Sequence, residues 1–205
     1  VAPRGELSPV SRTSVLFDRK KWPFKPDVVA DGGNVAASPD RTGVDTPPNL
    51  ALLTTRFRAP GEGFFTTTRD TSAATALVAG IAADIYASYP DVRPETVRAL
   101  IVHSAEWTDA MRTRFDTESS KTALASLLRR MGVPDADRAL RSAADALTLV
   151  AEAQIHPYER QGMSSAGKTR EMNLHELPWP VQQREALGGA HVRMRVTLSY
   201  FVEPN

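Results

Sequence analysis

The chain has 205 residues, 41% of them hydrophobic, with 25 Lys and Arg against 24 Asp and Glu for a formal charge of +1, and it contains no cysteine. That length and apolar content suffice for one ordinary domain or two small ones with a buried core, and exclude a disordered chain. Near-neutral charge without a basic cluster interleaved with aromatics argues against nucleic acid as a partner; the lack of thiols excludes disulfides and a Cys nucleophile, and no apolar run is long enough to span a bilayer.

The chain opens at Val1 with no signal-like segment, so a piece of a longer protein is expected, and the missing cysteines fit a reducing cytoplasm without excluding export. Val1 to Ser14 is polar and broken by Pro3, Gly5 and Pro9, and Val15-Leu16-Phe17 is too short an apolar run to classify. Lys25 to Gly32 reads as a short buried strand, Val28 to Ala30, with a proline-fixed entry and a Gly-Gly exit. Asn34 follows that turn; its amide has the chemistry of an oxyanion donor, but Gly-Gly-Asn is ordinary turn chemistry and Asn34 is expected to be a turn residue. Ala36 to Gly63 is rich in Pro, Gly, Thr and Asp and longer than a plain connection, with a strand expected at Leu50 to Thr54; it is either a substrate-facing loop or a surface excursion.

Thr66 to Gly80 runs from a threonine-rich stretch into an alanine-rich apolar one, the pattern of a loop turning into a helix. Ser72 sits at that junction, where unpaired N–H groups and the helix dipole favour developing negative charge, the setting of a nucleophile. Ser is equally a preferred N-cap of ordinary helices. From Ser72 to Tyr89 the apolar residues run nearly all round the helix, which predicts burial on most faces, and Pro90 stops it. Pro94 then suits a first helical position, with Val97, Leu100, Ile101 and Ala105 forming one stripe. His103 and Glu106 have a spacing that can share a metal, but two ligands are too few, and a structural pair is expected; His156, His175 and His191 have no partner spacing. Metal and cofactor are therefore not expected.

Ser119 to Met131 reads as a helix with Leu124, Leu127 and Leu128 on one side, and Gly132 to Leu140 as a turn plus a short helix. Beyond residue 145 the pattern changes. Leu174 to Pro180 reads as a strand ending in a proline-locked turn, Leu187 to Ala190 as a hairpin-like break, and Val192 to Val202 alternates at period two, with Arg193 and Arg195 expected on a solvated face. A separate β-rich module with unpaired edges is expected there.

Thr71-Ser72-Ala73-Ala74-Thr75-Ala76-Leu77-Val78-Ala79-Gly80 resembles the nucleophile motif of subtilisin-like serine peptidases, G-T-S-x-A-x-P followed by h-V-A-G, with Asp70 in place of the Gly and Ala76 in place of the Pro. Lys25-Pro26-Asp27-Val28-Val29-Ala30-Asp31-Gly32 resembles the family's K-P-D-h-x-A-P-G, with Asp31 in place of Pro. Leu7 to Arg12 resembles its S-x-F-S-S-R-G segment, and Gly132 to Leu140 its G-x-G-x-h-D-A-x-x-A stretch. The two helices after Ser72 resemble the family's pair, the second ending in a T-A or S-A pair, here Ser104-Ala105.

The resemblance implies an α/β fold in which residues 1–145 are the C-terminal part of a subtilisin-like parallel-sheet catalytic domain and residues 146–205 begin a partial β-sandwich-like module. It implies Ser72 as the catalytic nucleophile, a protein or peptide substrate, and an order of Asp, His and oxyanion Asn that all precede the Ser. Asn34 is not that Asn, which belongs upstream of K-P-D, and no His precedes Ser72 in this chain. An isolated chain without peptidase activity is therefore expected. Asp70 adds bulk and charge beside the nucleophile and would favour a protonated imidazole unless Arg69 neutralises it, so a non-catalytic pseudopeptidase or protein-binding module is the alternative. T-S-A-A-T-A-L resembles a bacterial cytoplasmic branch of the family whose members are thought to work beside AAA-type ATPases.

Overall fold

The structure is a computed structural model, and it describes residues 1–12, 25–57, 60–117, 132–141, 148–159, 168–177 and 181–201. The apolar run Val15 to Phe17 and the expected helix between Ser119 and Met131 lie outside the described residues, as do residue 202 and 178–180.

A small hairpin precedes the helices. Two-residue strands β1 (Ala36–Ala37) and β2 (Val44–Asp45) pair antiparallel across a turn tied by Ser38 and Asp40. Longer strands β3 (Leu52–Thr55) and β4 (Phe65–Thr68) pair antiparallel with Leu52 opposite Thr68 and Thr55 opposite Phe65. The strand expected at Leu50 to Thr54 is therefore present two residues later, entered through a 3-10 turn at Pro48–Leu50. β-Branched threonines on both strands suit the pleated ladder.

Two helices follow. α1 (Thr71–Ser88) is propagated by its alanines, with Thr75 Oγ1 donating back to the Thr71 carbonyl at 2.8 Å. It stops where the Tyr89 N–H bonds the Ile85 carbonyl ahead of Pro90. α2 (Pro94–Ser104) starts on its proline, with Glu95 in the first turn, and ends at Ser104, whose Oγ donates to the Ile101 carbonyl at 2.9 Å. The α2 N-terminus also receives a carboxylate from far along the chain: the Arg93 N–H donates to Glu152 Oε1 at 3.0 Å and the Thr96 hydroxyl bonds the same oxygen. That charge sits where the helix dipole favours it.

α3 (Asp109–Thr117) and α4 (Ala136–Arg141) complete the helical layer. Asp135 caps α4, its Oδ1 accepting the Arg138 N–H at 2.7 Å. Gly132, at φ 93°, brings the chain so close to the end of α2 that a Cβ there would lie 2.2 Å from the Glu106 carbonyl oxygen. The contact is fixed by reciprocal bonds between Glu106 and Val133 at 3.0 and 2.8 Å.

The core lies between α1, α2 and α4. Ile85, Val97, Leu100, Ile101 and Ala139 are buried, with Val28, Ile81 and Leu140 packed against them, and Tyr89 donates its hydroxyl to the Leu140 carbonyl at 2.8 Å. The stripe expected on α2 is the stripe that is buried, Ala105 included. The expectation for α1 is corrected: among its residues only Ala73 and Ile85 are buried, while Leu77 is 45% exposed and Tyr86 37%. α2, α4 and the Val28 segment cover one side of α1, and no described element covers the other.

Three further expectations change. Val28 to Ala30 is half-buried but joins no ladder among the described residues; its Val29 N–H bonds the Gly132 carbonyl at 2.9 Å. All three sheets of the described residues are two-stranded and antiparallel, so neither the parallel sheet nor a β-sandwich is seen. The last of them pairs β5 (Tyr158–Glu159) with β6 (Lys168–Thr169), and the expected strand at residues 174–177 is unpaired; α5 (Val181–Ala186) and a turn at residues 187–189 follow. Among the described residues no helix is long and apolar enough to cross a membrane.

The last segment inverts its predicted orientation. Residues 191–201 run without a ladder, and it is Arg195, Thr197 and Ser199 that are half-buried while Val192, Val196 and Leu198 are 65%, 77% and 81% exposed. Arg195 donates to the carbonyls of His103 and Ala105, Thr197 bonds His103, and Arg98 reaches Ser199. Bare helix-end carbonyls and a carboxylate at Glu106 attract guanidiniums more strongly than they attract valine, so the polar face turns inward.

Candidate active site

Ser72 is the second residue of α1 and is exposed. The first N–H groups of a helix have no intrahelical acceptor, so its hydroxyl lies beside unpaired donors at the positive end of the dipole. Immediately behind it Ala73 is buried at 6% exposure, which anchors the turn.

The turn is set by Asp70, whose φ of 80° and ψ of −177° belong to a region that glycine occupies readily and other residues do not. The Asp70 N–H donates to the Gly32 carbonyl at 2.8 Å. Gly32 in turn has no room for a side chain, since a Cβ would meet the Asp70 carbonyl oxygen at 2.7 Å and Ala74 Cβ at 3.6 Å. Gly33, at φ 80°, passes equally close to the Leu50 carbonyl. The two segments singled out by motif, 25–32 and 66–80, thus meet at the start of α1. The hairpin of β3 and β4 delivers the chain into that junction from Thr68.

Asn34 is occupied as a turn residue. Its amide bridges to the N-terminal segment, donating Nδ2 to the Ala2 carbonyl at 2.8 Å and accepting the Ala2 N–H, while its Oδ1 also takes the Val35 N–H at 2.8 Å. Asp31 accepts the Gly33 N–H at 2.9 Å.

No histidine reaches the nucleophile from before it, because all four follow Ser72 in the chain. His103 lies at the end of α2, its Nδ1 2.9 Å from Thr197 Oγ1; burial first, then the nearby Arg195 and Arg138, hold it below the ordinary histidine range. His156 pairs with Glu171 at 3.6 Å. His103 and Glu106 share no metal arrangement, and among the described residues no group of three or more His, Asp and Glu is placed to hold an ion.

Glu106 instead gathers arginines: Arg193 at 2.7 Å, Arg138 at 2.8 Å, Arg195 at 3.6 Å and Arg112 at 3.8 Å. The hydrogen bond from Arg193, with further help from Arg138, keeps its carboxyl below the usual range. Sequence reading missed this cluster and the bidentate pair of Arg98 with Asp27, at 2.9 and 3.2 Å. Arg112 lies six residues from Glu106, but the other partners are 32 to 89 residues apart in the chain, and no local spacing marks them.

The subtilase family model matches residues 1–134, a span that holds the hairpins, α1, α2 and α3 and ends just before α4. No curated protein and no solved structure matches the chain.

Proposed function

We propose, for a chain that belongs to the subtilase family, that Ser72 is the nucleophile of a serine endopeptidase. The observation that carries this is the exposed hydroxyl in the first turn of α1, inside the Thr71-Ser72-Ala73-Ala74 motif and within the matched span. The serine oxygen attacks the scissile carbonyl as its proton passes to an imidazole; the resulting oxyanion is met by the Ser72 N–H at the helix start, and collapse expels the amine and leaves an acyl-enzyme that water hydrolyses.

The base and its orienting carboxylate come from outside these residues, since the family order places both before the Ser and no His precedes Ser72. Residues 1–145 then form the C-terminal part of the catalytic domain and residues 146–205 an appended module. Negligible turnover follows for the 205-residue chain alone. By analogy with the cytoplasmic bacterial branch, the substrate is a protein or peptide and an AAA-type ATPase is the working partner.

One observation favours a second reading. Asp70 places a carboxylate in a glycine-like conformation directly before the nucleophile turn, which suits a pseudopeptidase that binds rather than cleaves. Fluorophosphonate labelling of the full-length parent, beside its Ser72→Ala form and with peptide mapping, separates the two. An adduct on Ser72 supports the peptidase. A folded parent that stays unlabelled refutes it and leaves the binding protein.

A further inference from the structure

Behind the end of α2 lies an open cavity of about 410 Å³, on the far side of the helical layer's second helix from its start at Pro94. Its charged lining is three guanidiniums, Arg112, Arg193 and Arg195, against the single carboxylate of Glu106, a formal excess of +2. Its apolar lining includes Val102, Val196 and Leu198.

Among the described residues the excess is only partly absorbed, by Asp109 against Arg112 and, further off, Asp135 against Arg138 at 4.0 Å. Glu106 is shared among four arginines, the fourth being Arg138, and a carboxylate has about four lone-pair positions whereas each guanidinium carries five N–H donors. Arg195 spends two donor bonds on the His103 and Ala105 carbonyls and contributes mainly charge. Arg112 is held loosely, 3.4 Å from Asp109 and 3.8 Å from Glu106, and the Asp109 side chain is fully exposed. Arg112 and Arg193 are themselves 52% and 70% exposed, so they form the cavity's outer, ligand-facing rim.

We propose that this cavity binds a phosphate monoester, its dianionic head taken by Arg112 and Arg193 and its organic body lying on Val102, Val196 and Leu198. A phosphate monoester carries about −1.5 to −2 at neutral pH, which matches the formal excess, and its oxygens fit the guanidinium fork. The volume suits a small ligand.

Calorimetric titration of the full chain with phenyl phosphate, inorganic phosphate and benzoate tests the assignment. Phenyl phosphate is expected to bind tightest, inorganic phosphate more weakly for want of the apolar contact, and benzoate weakest, with affinity falling as salt rises. Replacing both Arg112 and Arg193 by Ala is expected to weaken phenyl phosphate at least about tenfold, since charge-assisted bonds are lost. Glu106→Gln raises the formal excess to +3 and is expected to tighten it, which keeps the test decisive should the double variant fail to fold. By NMR the His103 titration midpoint is expected to rise on binding, as the dianion offsets Arg195 and Arg138, with Glu106 facing the same space. Absence of heat at millimolar phenyl phosphate, benzoate binding as tightly as phenyl phosphate, or affinity unchanged in the double variant overturns the proposal. None of these outcomes depends on Ser72 being catalytic.

Discussion

Replacing Asp70 by glycine should stabilise the chain. At φ 80° and ψ −177°, Asp70 sits where a side chain costs about 1–3 kcal/mol, a strain that glycine removes. Against that gain, glycine adds unfolded-state entropy worth about 0.5–1 kcal/mol. Loss of a carboxylate at the helix start costs about 0.3–1 kcal/mol more. No capping hydrogen bond is lost, because the Asp70 side chain makes none to the helix. At the centre of these ranges the balance is a gain of about 0.6 kcal/mol, or about 2 °C in Tm for a domain of this size. Urea denaturation followed by circular dichroism measures it as a higher midpoint at unchanged slope. Asp70→Ala is the control: it removes the charge but keeps the Cβ, and should fall below the parent. An alanine variant as stable as the glycine variant would show that charge, not backbone strain, governs this turn, and would refute the reasoning.

Gly132→Ala should fail to fold or lose more than about 3 kcal/mol, since its Cβ would meet backbone atoms of Glu106 and Trp107 at φ 93°; thermal unfolding reads this directly. Ile85→Ala, at a fully buried position, should cost about 2–5 kcal/mol and Ile85→Val about 0.5–1.5 kcal/mol by urea titration. Burial, the largest single influence on Asp27, raises its pKa, but the hydrogen bonds and charges of Arg98 and Lys25 outweigh it and leave the carboxyl below its ordinary 3.8. A depressed folded-state pKa contributes stability that is present above the unfolded value and lost as pH falls through the folded one. Acid titration of stability should therefore lose this contribution below about pH 4, and Asp27→Asn should flatten the slope there.

Much of the helical layer was legible because its signals are local. Pro94, the α2 stripe and the Ser104-Ala105 end are written in residues three or four apart, and the Ser72 junction shows as a change from threonine to alanine. What was not legible depends on partners far along the chain. The alternation of residues 192–201 is visible in sequence, but which face turns inward is decided by the α2 carbonyls and Glu106, roughly ninety residues earlier. The apolar circumference of α1 announces burial, yet only one side finds a described neighbour. Asp70 shows the converse case: its position is plain from the motif, whereas its backbone conformation appears only once Gly32 is packed against it.

The manner in which residues 191–201 are attached has a consequence for how the molecule comes apart. The segment adheres through guanidiniums and hydroxyls, with Val192, Val196 and Leu198 largely exposed already, so detaching it exposes little apolar surface and returns polar groups to water. Segments held this way open at low free energy, well before the core of Ile85, Leu100 and Ala139 is disturbed. Limited proteolysis would shear this tail first and leave the helices intact. Each such cut also strips Arg195 from the His103 and Ala105 carbonyls, turning a covered helix end into one that water must solvate.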